Sequence, residues 1–374
     1  MSDATIDAMQ FVAFLLSALV IATVLWDAFE TVVLPRSVTR RLRLTPLYFR
    51  ATWRPWGQAA AMFQSDARRE RFLAVYGPIS LLGLAALWAL GLVVGFAGLH
   101  WSAGSNLRPA TGEIRLIDDL YMSGTTFFTL GLGDLQPAGR LARAVTVAEA
   151  GTGFAFLAIV IAYFPVLYQS FSRREVRLTL LDAWAGSPPA AAEVLRRLGA
   201  ERQLTALDPF LRDWEYWCSE LLESHISYPA VAYFRSQHQR QSWVSALAAV
   251  LDLSAIVTVG IEDIPTWQAR VTFAIARHAA VDLSQVLQVP LDPSGDRLPP
   301  ADLEQLRRQL EEVGLKPARS PEATLRLTEL RRSYEPYILG LSHRLLMPAP
   351  SWLRRTPVKD NWQTSPKGAA GAHW

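Results

Sequence analysis

One cysteine, Cys218, in 374 residues excludes an intrachain disulfide framework and a thiolate metal cluster. Lysine is scarce as well: of 37 basic residues only Lys316, Lys359 and Lys367 are lysines. Charged residues make up 19% of the chain against 51% hydrophobic, which excludes a disordered or collagen-like chain. The net charge of +3 is too small to call for a nucleic-acid partner. The sequence has no Gly-x-Gly-x-x-Gly and so no sign of a dinucleotide-type regulatory domain. No run carries arginine at every third position, so no voltage-sensing helix is expected. No nucleophile stands beside a base and no carboxylates are paired for acid–base work, so no enzyme and no cofactor are expected.

What the sequence does have is long apolar runs. Ala8 to Trp26 is uncharged over 19 residues, just enough to cross a hydrocarbon core about 30 Å thick at 1.5 Å per residue. Asp3 and Asp7 precede it in place of the basic start of a signal peptide, so it reads as a retained, peripheral membrane helix. Phe72 to Leu99 holds 28 uncharged residues. A third run, Ala150 to Ser172, extends back toward Leu141. The mean hydropathy of +0.14 is therefore an average of an apolar and a polar portion.

The arginines orient these spans. Between Arg36 and Arg71 nine arginines stand against Asp66 and Glu70, a net of +7, which places that linker in the cytoplasm. From His100 to Ala138, Arg108 and Arg115 stand against Glu113, Asp118, Asp119 and Asp134, a net of −2, as expected outside. The amino terminus is then outside a cell (inner) membrane and everything after Arg173 inside.

Beyond the third span the chain reads as a helical cytoplasmic domain, 173–347, with helices over Pro189 to Leu198, Pro209 to Glu223, Ala301 to Val313 and Pro321 to Ser333. Trp243 to Ile261 is apolar enough for a fourth span, but Asp252 at its centre favours a buried core helix over a membrane helix. His225, Tyr228, His238 and the Trp214-Glu215-Tyr216-Trp217 cluster read as core rather than as a ligand cage, and the histidines lack metal-ligand spacing. Residues 348–374, rich in Pro, Gly, Ser and Lys, read as a flexible tail.

Between the second and third spans lies a segment of different character. Asp118 to Phe128 fits a short helix, with Asp118 or Asp119 as cap and anion at its amino end. Thr129-Leu130-Gly131-Leu132-Gly133-Asp134 follows, where alternating glycines let the backbone turn successive carbonyls to one side. Four such strands around an axis form rings of oxygens that replace the water shell of a monovalent cation. The plain alternative is a glycine-rich outer loop. The short helix before it, the flanking spans and the outer location favour the filter.

Span, short helix, Thr-x-Gly-x-Gly-Asp and span together resemble the pore module of the potassium channel family, over roughly Phe72 to Ser172. The leucine-centred filter resembles the second pore loop of some animal two-pore-domain potassium channels. Asp27 to Pro35 and the cytosolic tail resemble uncharacterised bacterial members. The resemblance implies potassium coordination by the backbone carbonyls of Thr129, Leu130, Gly131 and Leu132 and the Thr129 hydroxyl, with Gly133 completing the filter and Asp134 at its outer mouth. It also implies a homotetramer in a lipid bilayer. Leu132 replaces the usual Tyr or Phe, and Phe128 replaces a common second Thr. Packing by Tyr121, Phe127 and Phe128, with Thr125 and Thr126 on the same helix, is expected to support the filter instead.

The third span is expected to line the pore. Gly151 and Gly153 at its middle serve either as a hinge or for close packing, and Pro165 either kinks the helix or marks its exit from the membrane. Glu149, inside this span, either faces the axis or bonds the pore helix. Asp27 and Glu30, on one face of the first span, pair with Arg36 or Arg40 as an interfacial cluster or couple that helix to the gate. The expected fold is an all-α membrane protein: a peripheral helix (1–34), a basic linker (35–71), a pore module (72–172) with outer helix 72–99, pore helix 118–128, filter 129–134 and inner helix 141–172, the cytoplasmic domain and the tail. The expected function is passive potassium conduction, gated at the inner helix by the cytoplasmic domain in response to a regulatory ligand or stimulus that the sequence does not name. A weakly selective cation channel and a non-conducting membrane sensor are the alternatives.

Overall fold

The computed structural model describes residues 3–34, 43–105, 107–109, 115–238, 240–354 and 359–363. The chain divides into two compact units, Met1–Ser65 with Val75–Tyr168, and Asp66–Ala74 with Gln169–Trp374. Both are helical; the described residues contain one short two-stranded ladder.

The first unit contains α1 (Asp3–Val32), α2 (Leu44–Ala61), most of α3 (Asp66–Ser102), β1 (Leu107–Pro109), α4 (Leu116–Phe127), β2 (Leu135–Pro137) and the first part of α5 (Arg140–Ala185). Three helices are long and apolar enough to cross a membrane: Asp7–Val32, Asp66–Ser102 and Arg140–Ala185. α3 is the centre of this unit, with half of its most apolar window buried against 11% for the first span and 17% for α5. The outer two helices thus leave apolar faces for lipid or for other chains.

α1 approaches α3 closely because α3 presents small residues to it. A Cβ at Gly95 would lie 2.6 Å from Cγ1 of Ile21, and one at Gly91 would lie 2.9 Å from Val24. The end of α1 is fixed by polar contacts. Both Asp27 carboxylate oxygens accept from the Thr45 backbone N–H at 3.2 Å, and Oδ2 accepts from the Thr45 hydroxyl at 2.6 Å and Trp88 Nε1 at 2.9 Å. Asp27 therefore caps α2 and ties three helices together. Glu30 pairs with Arg43 at 3.1 Å. Arg36 and Arg40, the expected partners, lie outside the described residues.

α2 is a helix that the reading of residues 35–71 as a basic linker did not contain. It buries Phe49, Trp53 and Ala60, and the rings of Trp53 and Tyr76 pack edge-on at 4.8 Å. Arg50 and Arg54 lie on its exposed side.

The second unit holds the rest of α5, α6 (Ala191–Ala200), α7 (Leu207–Ser227), α8 (Trp243–Val259), α9 (Trp267–Val286), α10 (Pro300–Glu312), α11 (Pro321–Arg332) and α12 (Glu335–Leu345). α8 is its core helix, buried from Trp243 through Val257. The Asp252 carboxylate inside it accepts from Arg297 at 2.6 and 2.9 Å and from the Tyr334 hydroxyl at 2.7 Å. That pairing answers the cost of a buried charge. Trp214 and Trp217 are core residues with ring centroids 4.9 Å apart, whereas Tyr216 and His238 are exposed and Tyr228 is half-buried.

The expectation of a flexible tail from 348 is corrected for residues 348–354 and 359–363. Trp352 and Leu353 are buried, and Asp360 accepts from the Ser187 backbone N–H at 3.1 Å and from Arg197 at 2.6 Å. One buried indole and one paired carboxylate outweigh the surrounding Pro, Ser and Lys. Residues 364–374 lie outside the described set.

Candidate functional site

The site is built from α4, the segment after it and the start of α5. α4 begins at Arg115, whose backbone N–H donates to Asp118 Oδ2 at 2.7 Å. Asp118 thus sits at the third helical position and bonds back to the start; neither it nor Asp119 is the cap residue. Asp119 is fully buried and accepts from the Ser105 hydroxyl at 2.6 Å.

At its other end the helix closes through two backbone bonds. The Thr129 N–H donates to Thr126 O at 3.0 Å, and the Leu130 N–H donates to Thr125 O at 2.8 Å. This pair is a Schellman closure, which requires a left-handed residue, and Thr129 supplies it with φ 58°. Left-handed geometry then recurs at every second residue, with Gly131 at φ 57° and Gly133 at φ 78°. Thr129, Leu130, Gly131, Leu132, Gly133 and Asp134 are all exposed in the single chain, with Leu130 62% and Leu132 63% accessible. Bare apolar side chains between left-handed positions are incomplete as a lone strand, because each wants a partner surface that one chain does not offer.

Three contacts fix the ends of this segment. The Tyr121 hydroxyl interacts with the Asp134 carboxylate, linking α4 to the residue that closes the segment. Gln136 Nε2 donates to Gly133 O at 3.2 Å. β1 pairs antiparallel with β2, Leu107 opposite Pro137 and Pro109 opposite Leu135, joining the strand before α4 to the one after the segment. Phe127 is buried and packs against Phe156 at 5.6 Å, while Phe128 is 59% exposed, so Phe127 rather than Phe128 anchors the helix end. Thr125 is buried and donates to Met122 O at 3.0 Å; Thr126 is half-buried.

On α5, Gly153 and Gly151 have different surroundings. A Cβ at Gly153 would collide with the carbonyl of Phe127, so Gly153 is a close-packing glycine against the end of α4. A Cβ at Gly151 would have nothing within 4 Å, and Gly151 faces open space in the single chain. Pro165 is exposed and α5 continues through it to Ala185. Glu149 is fully buried and bonds Ser123 of α4, with His100 of α3 on its other oxygen at 3.4 Å.

Sequence reasoning did not single out His100, Ser123 or the Tyr121–Asp134 bond. His100 carried one legible signal, an imidazole closing an uncharged run of 28 residues. The other two depend on side-chain register across the fold.

Residues 86–169 match the ion channel family model. The matched stretch takes in α3 from residue 86 onward, all of α4, the 129–134 segment and α5 as far as residue 169. The chain is also 22% identical over 196 residues to the uncharacterized membrane protein YdjJ of Bacillus subtilis (strain 168), covering 52% of this chain and 56% of that one. The chain thus spans little more than half the length of that relative. No solved structure matches the chain. With three apolar spans and an ion channel stretch, the chain is an all-α membrane protein.

Proposed function

We propose that the chain is one subunit of a homotetrameric, potassium-selective channel that conducts passively through the Thr129–Gly133 segment. The observation that carries this reading is the left-handed backbone at Thr129, Gly131 and Gly133 in an exposed segment tied at its outer end through Tyr121 and Asp134. Every second residue so turned lets consecutive carbonyls line one side, and one chain supplies one wall of a four-walled pore. In this reading Thr129, Leu130, Gly131 and Leu132 hold K+, Asp134 stands at the outer mouth, Gly151 of α5 faces the assembly axis and Pro165 lies nearer the gate. The amino terminus is outside the cell membrane and the second unit is cytoplasmic, as the arginine balance requires. Gating by that unit is supported by α5, one unbroken helix contributing residues to both units.

A weakly selective cation channel is the second reading, favoured by Leu132, whose exposed side chain offers no hydroxyl to brace the filter. The test is flux from potassium-loaded vesicles carrying the purified full chain, repeated with sodium. Potassium flux well above sodium flux is expected. Equal fluxes favour the second reading, and no flux in either salt leaves a membrane-anchored sensor.

A further inference from the structure

α3, α4 and α5 meet at a buried polar cluster within the first unit. His100 is 1% exposed, and Asp119, Ser123 and Glu149 are 0% exposed. His100 Nε2 lies 3.4 Å from Glu149 Oε2. Ser123 Oγ is in hydrogen-bond contact with Glu149 Oε1 and lies 2.7 Å from the carbonyl oxygen of Val93.

Proton counting decides how these contacts can coexist. A serine hydroxyl has one proton to give, and a carbonyl oxygen can only accept. When Ser123 donates to Val93, its contact with Glu149 is a bond only if the carboxyl group donates. One assignment satisfies all three contacts: Ser123 O–H to Val93 O, Glu149 Oε1–H to Ser123 Oγ, and His100 Nε2–H to Glu149 Oε2. In it Glu149 is a neutral carboxylic acid and His100 carries a proton on Nε2. An ionised Glu149 beside a protonated His100 leaves Ser123 with two acceptors for one proton.

The surrounding charges favour the same state. Asp119 of α4, a second carboxyl group near His100, accepts from Ser105, and its Oδ1 has no hydrogen-bond partner. Asp118, one residue earlier, is engaged by the backbone of Arg115. An ionised Glu149 would stand beside this second buried carboxyl group, Asp119, in a dry site, where a buried charge costs several kcal/mol.

We propose that Glu149, with His100 and Ser123, is a proton-binding site that positions α4 behind the conducting segment. The bound proton completes the Glu149–Ser123 bond six residues before Thr129. Its loss leaves a carboxylate that draws water between α4 and α5 and loosens the helix that ends at the filter. Glu149 is a positioning residue here; it does not touch the ion. The effect on flux rests on the channel reading, whereas the proton itself does not.

Two measurements on the full chain in vesicles test this. In infrared spectra at neutral pH, Glu149→Gln should remove a protonated-carboxyl C=O stretching band present in the wild type. With equal pH on both sides, wild-type potassium flux should fall on the alkaline side, by about tenfold per pH unit beyond the midpoint of a single-site titration. Glu149→Gln, whose amide can donate to Ser123 and accept from His100, should keep the neutral-pH flux with that alkaline fall gone. Identical carboxyl bands in the two proteins would overturn the proton site. A band that is lost while the alkaline fall persists would overturn the positioning role. If the wild type carries no flux, the channel reading fails and the band alone decides the proton site.

Discussion

At Thr129 the geometry of a helix end and the chemistry of an ion ligand make opposite demands. The closing position of a Schellman motif favours glycine, and a β-branched residue with φ 58° is strained there by about 1–2 kcal/mol. Such strain persists where the side chain has work to do, and in the channel reading the hydroxyl of Thr129 is an ion ligand. Thr129→Gly is expected to stabilise the purified protein by about 1 kcal/mol, read as a raised unfolding midpoint, while lowering potassium over sodium flux. Gly131→Ala carries the opposite logic, because a Cβ at φ 57° is strained even with open space around it. It should abolish flux while the assembled particle remains detectable by mass, and normal conduction would refute the filter assignment. The glycine alternation was legible because glycine marks backbone freedom wherever it stands. The conformation of Thr129 was not, because a threonine in the left-handed region is fixed by the hydrogen bonds of the helix before it. The Tyr121–Asp134 bond was equally hidden, since 13 residues separate its partners.

Among the elements, the apolar spans were read from length and charge alone, because a hydrocarbon core imposes a length on any helix that crosses it. α8 was read correctly as a core helix for one physical reason: Asp252 needed a partner that a bilayer would not provide, and Arg297 is that partner. α2 is less legible because the arginines in and around it mask the apolar face formed by Phe49, Trp53 and Ala60. α9 and α12 are equally hard to read, their apolar faces broken by charged residues. The dependence of α2 on Asp27 is testable. Removing the carboxylate by Asp27→Ala takes away the cap of α2 at a cost of about 1–2 kcal/mol and leaves Trp88 Nε1 without its acceptor. The variant should be cut by trypsin after Arg50 faster than the wild type, with Asp27→Asn intermediate. Equal cutting rates would show that α2 holds its place without the cap.

For the molecule as a whole, the mean hydropathy and the net charge of +3 conceal an apolar first unit and a polar second one, and each unit keeps its own electrostatics. In the second unit Arg174 donates to the carbonyls of Val231 at 3.1 Å and Phe234 at 2.9 Å, pairs with Glu175 at 3.0 Å and reaches His225 Nε2 at 3.2 Å. The Nδ1–H of His225 donates to Leu221 O at 2.9 Å, so Nε2 is the acceptor and the ring is neutral. Burial, and then the neighbouring Arg174 charge, push the His225 imidazole well below its ordinary value of 6.5. The unfolded chain takes up this proton as pH falls through about 6.5, whereas the folded unit refuses it until a lower pH. The contribution of His225 to stability is therefore complete above about 6.5 and shrinks as pH drops toward the folded value, by about 1.4 kcal/mol per pH unit. His225→Gln can still accept from Arg174 but cannot titrate. Denaturant midpoints of the full chain measured from neutral to mildly acidic pH should fall less steeply in the variant than in the wild type. Parallel acid limbs would mean that His225 is not a buried neutral acceptor, and the contacts of Arg174 would then have to be satisfied by the carbonyls and Glu175 alone.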